Sequence, residues 1–129
     1  MTRQEIIEYC LTFPCAVEEY PFDVVINDSA WTAMRHSANK KCFAFISVWN
    51  GRLIANLKCD PMEADFLRQA FRDVIPGYHM NKTHWNTVFL DGSVPEDDIK
   101  NMICASYDLI KPKVRNNRRK DKGVQDNVV

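Results

Sequence analysis

Asn50-Gly51 separates two runs of alternating hydrophobicity, residues 41–49 and 52–59, and no other feature constrains the fold as strongly. A two-residue type I′ turn needs positive φ at both central positions, which Asn-Gly supplies, and its twist matches that of the strands it joins. So short a loop sets the register. Cys42, Ala44, Ile46 and Val48 then lie opposite Cys59, Leu57, Ala55 and Leu53, all on one face that needs a cover of helices. The other face pairs Trp49 with Arg52, Ser47 with Ile54, Phe45 with Asn56 and Phe43 with Lys58. Rings facing cations and amides make either a stacking platform with phosphate donors or a layer packed beneath a loop or the tail, with Lys and Arg stems lying over it.

Helices are signalled on both sides of this hairpin. Thr2-Arg3-Gln4-Glu5 has capping-box spacing and is followed by a stripe of Ile6, Tyr9, Cys10 and Phe13, with Pro14 as the stop. Asp60-Pro61-Met62-Glu63 reads as an Asp cap with proline at the first helical position; Leu67, Ala70, Phe71 and Val74 form the stripe and Pro76-Gly77 the stop. Ser93-Val94-Pro95-Glu96 opens a last helix with Ile99, Met102, Ile103, Ser106 and Ile110 inward. Short strands are expected at Val24-Val25-Ile26, at residues 31–36 before a turn at Ser37-Ala38-Asn39-Lys40, and at residues 85–90 before the Asp91-Gly92 turn. Residues 18–22 read as loop. The order implies an α+β two-layer sandwich, an antiparallel sheet with helices packed on one face.

At 129 residues the chain has the length of one domain, expected over residues 1–110, with a flexible basic arm over 111–129. Up to Ile110 there are 10 Lys and Arg against 15 Asp and Glu, whereas the arm has 7 basic residues against Asp121 and Asp126. An acidic body with a basic arm restricts any polyanion contact to local patches or to the arm. No apolar run is long enough for a membrane span and the N-terminus does not read as a signal peptide, so a cytoplasmic protein is expected. Five cysteines without paired spacing support neither a disulfide framework nor a zinc site, and four of them fall within apolar patterns, where a free cysteine behaves as a small core residue.

No arrangement specifies a reaction, so no enzyme, cofactor or metal is expected. His79 and His84 match no ligand spacing. Cys59, just before a helix N-terminus, is the most tempting nucleophile, but the hairpin register turns it to the core. Binding chemistry is better supplied. Tyr78 to Asn86 packs two histidines, two aromatic residues, two asparagines and a lysine into nine positions. Lys82, His84, Trp85 and Asn86 suit phosphate positioning and base contact; alternatively, His84 and Asn86 cap backbone groups, Trp85 anchors a strand, and Lys82 is an ordinary surface lysine. Lys40, Lys41 and Arg52 fall at turns able to enter or straddle a groove.

Leu57-Lys58-Cys59-Asp60-Pro61, Pro76-Gly77-Tyr78-His79-Met80-Asn81-Lys82, His84-Trp85-Asn86-Thr87-Val88, Leu90-Asp91-Gly92 and Ser106-Tyr107-Asp108-Leu109 together resemble the MmcQ/YjbR family. Pro21-Phe22 is similar to its N-terminal motif, with Asp23 where the family often has glycine. The resemblance covers residues 1–112. It implies a CyaY-like fold and a DNA-binding role through a double wing of projecting β elements, with no catalytic residues. Combined with the residue chemistry, it yields a monomeric DNA-binding protein. Lys40, Lys41, Arg52, Lys58 and Lys82 are expected on phosphates, with His84, Trp85 and Asn86 nearer the bases and the arm adding nonspecific affinity. The alternative is a small-ligand or protein-interaction module with Tyr78, His79, His84 and Trp85 lining a pocket. Iron binding at Glu18, Glu19, Asp97 and Asp98, suggested by frataxin members of the fold, ranks below both because these acids are few and scattered.

Overall fold

Asn50 and Gly51 both adopt positive φ, 51° and 74°, and the strands they join pair in the register that the turn requires, Ala44 with Leu57, Ile46 with Ala55 and Val48 with Leu53. The computed structural model describes residues 1–21 and 30–113. The expected strand at Val24–Ile26, the Phe22-Asp23 motif positions and most of the basic arm lie outside the described residues. Helix α1 (Arg3–Cys10) is followed by β1 (Ala16–Glu19), β2 (Thr32–His36), β3 (Cys42–Trp49) and β4 (Arg52–Lys58). Then come α2 (Pro61–Ala70), β5 (Val74–Pro76), β6 (Trp85–Phe89) and α3 (Glu96–Ile110). The six strands form one antiparallel sheet in the order β1-β2-β3-β4-β6-β5. The expected α+β architecture is present.

Helices α1 and α3 supply the cover. Ile6, Ile7 and Cys10 pack with Ile99, Met102, Ile103 and Ile110 over Met34, Ala44, Ile46, Leu57 and Val88. The capping box of α1 forms as its spacing predicts: Glu5 N–H donates to Thr2 Oγ1 at 3.1 Å and Thr2 N–H to Glu5 Oε1 at 2.8 Å. Asp60 occupies the cap position of α2, but its side chain makes no capping bond.

Three local expectations are corrected. Glu18 and Glu19 belong to β1, not to a loop; an edge strand tolerates charge, and Glu19 pairs with Arg35 of β2 at 3.0 Å. Helix α2 stops at Ala70, so Phe71 is extended and Val74 is an edge-strand residue, buried against β6. Pro76 is tolerated there because an edge strand leaves one row of N–H groups unpaired. The third correction concerns Phe43. Between Met34 and Arg35 the β2–β3 register shifts, their partners being Ala44 and Cys42, so Phe43 is the extra residue of a bulge. Its ring leaves the second face for the core, edge-on to Phe13 and Tyr107 at 6.0 and 5.2 Å. Lys58 pairs instead with Trp85.

The antiparallel order gives the sheet two chemically different ends. The Asn50–Gly51 turn, Arg52, the Asp91-Gly92 turn and the start of α3 with Glu96, Asp97 and Asp98 share one end. There Met1 N donates to Leu90 O and Ser93 N–H to Asp73. The Lys40–Lys41 turn, the end of β4 at Lys58, the start of β6 with His84 before it, and the end of α3 share the other. Asn39 Nδ2 clips that turn to the last carbonyl of α3, Ile110 O, at 2.7 Å.

Candidate nucleic-acid interface

The segment from Gly77 to His84 folds back across the helix-free face of the sheet. Gly77 N–H donates to Trp85 O at 2.9 Å, and a Cβ at Gly77 would stand 2.8 Å from Trp85 Cβ, so the fold-back needs glycine there. Asn56 Nδ2 donates to Tyr78 O and Tyr78 N–H to Thr87 Oγ1, at 2.9 and 2.8 Å, while the Thr87 hydroxyl donates to Asn56 Oδ1. Asn56 and Thr87 are fully buried, so these bonds satisfy groups that would be costly to leave unpaired. Tyr78 stacks on Trp49 at 4.4 Å, and Phe45 lies between Trp31 and Trp85 at 6.2 Å from each. Of the two readings of this face, the covering layer is the one realised.

The expected contact residues therefore separate. Asn86 does not face solvent. It is 2% exposed on the helix side, where Oδ1 accepts from Arg68 Nε at 2.7 Å and Nδ2 donates to Ala64 O at 3.3 Å. Arg68 also donates to Lys82 O and to Trp85 O, tying α2 to the fold-back segment. Asn86→Ala is expected to lower stability by about 1–3 kcal/mol, because it removes a buried side chain and leaves the half-buried Arg68 Nε without its partner; chemical denaturation measures this. Trp85 is half-buried against Phe45.

Arg52 is already neutralised. It forms a two-pronged contact with Asp91 at 2.9 and 3.1 Å, approaches Asp73 at 3.5 Å and lies over the Phe89 ring at 4.0 Å. Asp73 is held below the usual aspartate range first by Ser93 N–H and then by the Ser93 hydroxyl, with Arg52 adding to the effect against burial. A depressed folded-state value adds stability that is complete at neutral pH and disappears as pH falls through that value. Asp73→Asn is thus expected to flatten the acid limb of a stability–pH profile measured by urea unfolding.

Lys40, Lys41, Lys82 and His84 are exposed and Lys58 is half-exposed, all five at the end away from Arg52. Lys40 sits at positive φ in a turn held by Arg35, which donates to Lys40 O at 3.0 Å. Lys82 Nζ donates to Gly77 O at 2.9 Å, one of its three donors. The Asn39 clip adds Lys111 and Lys113 to this end, which sequence reasoning assigned only to an arm; no local signal joins residues so far apart. Lys111 pairs with Asp108 at 3.0 Å, but both side chains are half-exposed, so the pairing is weak. Asp60 and Glu63 at the start of α2 are the acids flanking Lys58.

Cys59 is 8% exposed, and burial, reinforced by the Glu63 and Asp60 carboxylates, pushes its thiol up to about 11, so it stays neutral at physiological pH. Among the described residues, no group of three or more His, Cys, Asp or Glu is arranged to hold a metal ion, and no helix is long and apolar enough to cross a membrane.

The architecture has counterparts among solved structures. Deinococcus radiodurans protein DR2400 superimposes with a TM-score of 0.73 at 31% identity, covering 84% of this chain and 78% of that one. A Pseudomonas syringae protein superimposes at 0.74 with 28% identity, covering 86% and 100%. Among curated proteins, the chain is 38% identical over 107 residues to Uncharacterized protein YjbR of Escherichia coli K12, covering 83% of this chain and 85% of that one. It is 33% identical over 121 residues to Uncharacterized protein YyaQ of Bacillus subtilis, covering 86% and 99%. The YjbR family model matches residues 11–109, which span the sheet, the fold-back segment and nearly all of α3, and the chain belongs to the YjbR family.

Proposed function

We propose that this protein binds DNA through the Lys40–Lys41 end of its sheet, in a binding and not a catalytic role, as a cytoplasmic protein. The observation that supports this best is the sorting of charge. The body is acidic overall, yet Lys40, Lys41, Lys58, Lys82, Lys111 and Lys113 collect at one end and outnumber Asp60, Glu63 and Asp108 there, while Asp73, Asp91, Glu96, Asp97 and Asp98 collect at the other with Arg52 and Lys100. Phosphate neutralisation supplies most nonspecific DNA affinity, and a local basic footprint meets that need where net charge does not. The basic arm leaves from the same end. On this reading Arg52 drops out of the contact set, and of the two projecting turns only the Lys40–Lys41 turn meets DNA. Asn86 serves the framework, and Lys82 and His84 remain as contacts.

Fluorescence anisotropy with duplex and single-stranded DNA at two salt concentrations tests the reading. Binding that weakens steeply with salt and is unchanged by Arg52→Ala is expected. No salt-sensitive binding by the full chain at low ionic strength would refute it. A chain ending at Lys113 separates the body from the arm: if it loses all affinity, the body has another role.

A further inference from the structure

The two turns at the Arg52 end each place glycine after an acid or its amide, Asp91-Gly92 and Asn50-Gly51, and the fold treats them oppositely. Arg52 holds both carboxylate oxygens of Asp91, and a Cβ at Gly92 would collide with Asp73 Oδ2, so that turn is hemmed in. Asn50 and Gly51 are exposed, and a Cβ at Gly51 would meet nothing within 4 Å. Among the described residues, neither the Asn50 side-chain amide nor the Gly51 N–H has a hydrogen-bond partner. The other described asparagines differ. Asn56 and Asn86 are buried, Asn39 and Asn81 are committed to hydrogen bonds, and Asn101 lies within α3. Asn50 is also the only asparagine of the chain that glycine follows.

An unpartnered amide beside an unpartnered, unhindered N–H has a chemistry of its own. Hydroxide takes the proton of the Gly51 amide, and the nitrogen adds to Cγ of Asn50 to close a five-membered succinimide. The N–Cγ bond forms, the Cγ–Nδ2 bond breaks, and the side-chain nitrogen leaves as ammonia with a proton from water. Water then opens the ring. Attack at Cγ restores the ordinary backbone with aspartate at position 50. Attack at the main-chain carbonyl carbon leaves isoaspartate, with the chain running through Cβ and Cγ. One water is consumed and one ammonia released, and nothing is oxidised. Glycine assists because it sets no side chain against the ring, and the open space around Gly51 adds no other obstacle. The Trp49–Arg52 pairing that closes the turn opposes the reaction, so the folded chain converts more slowly than the unfolded one.

We propose that Asn50 is a deamidation site of the folded protein, and that its isoaspartate product unlocks the β3–β4 register. The two-residue turn fixes the pairing from Ala44–Leu57 to Trp49–Arg52. Isoaspartate lengthens that loop by one backbone atom, so the turn no longer fits its strands. Aspartate keeps the turn, since Asp-Gly suits a type I′ turn as Asn-Gly does. Either product adds a carboxylate beside Arg52, which Asp91 and Asp73 already neutralise. The site lies at the end away from the Lys40–Lys41 turn and does not depend on DNA binding, so it is tested without DNA.

The native full chain is incubated at mildly acidic and mildly alkaline pH, then digested with trypsin. Mass spectrometry reads deamidation, and methyl transfer by an isoaspartyl methyltransferase reads isoaspartate. The peptide Cys42–Arg52, in which Asn50 is the only side-chain amide, should gain one mass unit, faster at alkaline pH, and should take up the methyl label. Thr83–Lys100, which carries Asp91-Gly92, should take up none. Asn50→Gly keeps a Gly-Gly turn of the same type; it should show neither signal and an unchanged circular dichroism spectrum. The isoaspartate form should unfold at a lower urea concentration than Asn50→Asp. No mass gain in the native chain overturns the site, whether or not the chain converts in urea. Equal labelling of Thr83–Lys100 overturns the distinction between the two turns. An isoaspartate form as stable as Asn50→Asp overturns the loss of register.

Discussion

Phe43→Ala is expected to lower the unfolding free energy by about 3–5 kcal/mol, the usual loss for a fully buried phenylalanine that leaves a cavity. Phe43 is completely inaccessible and meets Phe13 and Tyr107, and its carbonyl accepts from Ser106 Oγ at 2.6 Å, so the backbone around it is held while the ring is removed. The neighbouring rings cannot close the gap easily, because Tyr107 is itself anchored through its hydroxyl to Pro14 O and stacked on Phe13 at 4.8 Å. Urea unfolding measures the loss. Phe45→Ala is the comparison. Phe45 lies two residues along the same strand on the helix-free face, half-buried, and should cost distinctly less. Equal losses at the two positions would mean that the bulge does not divert Phe43 to the core.

Replacing Lys40, Lys41, Lys111 and Lys113 together by alanine is expected to flatten the salt dependence of DNA binding. Each phosphate contact contributes roughly 0.9 to the slope of log affinity against log salt on duplex DNA, so four lost contacts lower it by about 3.6. All four side chains are exposed, and substitutions of this kind usually change stability by within about 0.5 kcal/mol, so lost affinity would not reflect unfolding. Arg52→Ala, in contrast, should leave the slope unchanged, since its charge already faces Asp91 and Asp73. The opposite pattern would move the DNA to the Asn50–Gly51 end, where a second projecting wing was expected.

Much of the architecture is legible in short stretches of sequence. Asn50-Gly51 sets a register that holds from Ala44–Leu57 to Trp49–Arg52. Thr2 and Glu5 start α1, and Pro61 starts α2. Each depends on backbone dihedrals and hydrogen bonds within a few residues, which the local order of residues reveals. The alternation rule fails at Phe43 because a bulge is stabilised by what its extra residue touches, here Phe13 and Tyr107 from distant parts of the chain. Val74 fits the helical period of α2 yet joins β6, because pairing at the sheet edge outweighs a one-residue continuation of the stripe.

The candidate site was less legible. Tyr78 to Asn86 has the composition of a binding surface, but its polar groups satisfy Asn56, Thr87, Arg68 and one another, and much of its aromatic area covers Phe45 and Trp49. Polar and aromatic side chains build a buried network as readily as a ligand site, and only their partners distinguish the two. The sequence by itself determined the hairpin, the helices, the α+β class and the excess of acid over base in the body. The tertiary structure alone decided which charges are neighbours. Antiparallel strand order places Lys40, Lys58 and Lys82 at one end and Arg52 among acids at the other, because electrostatic effects follow distances in space and not positions along the chain.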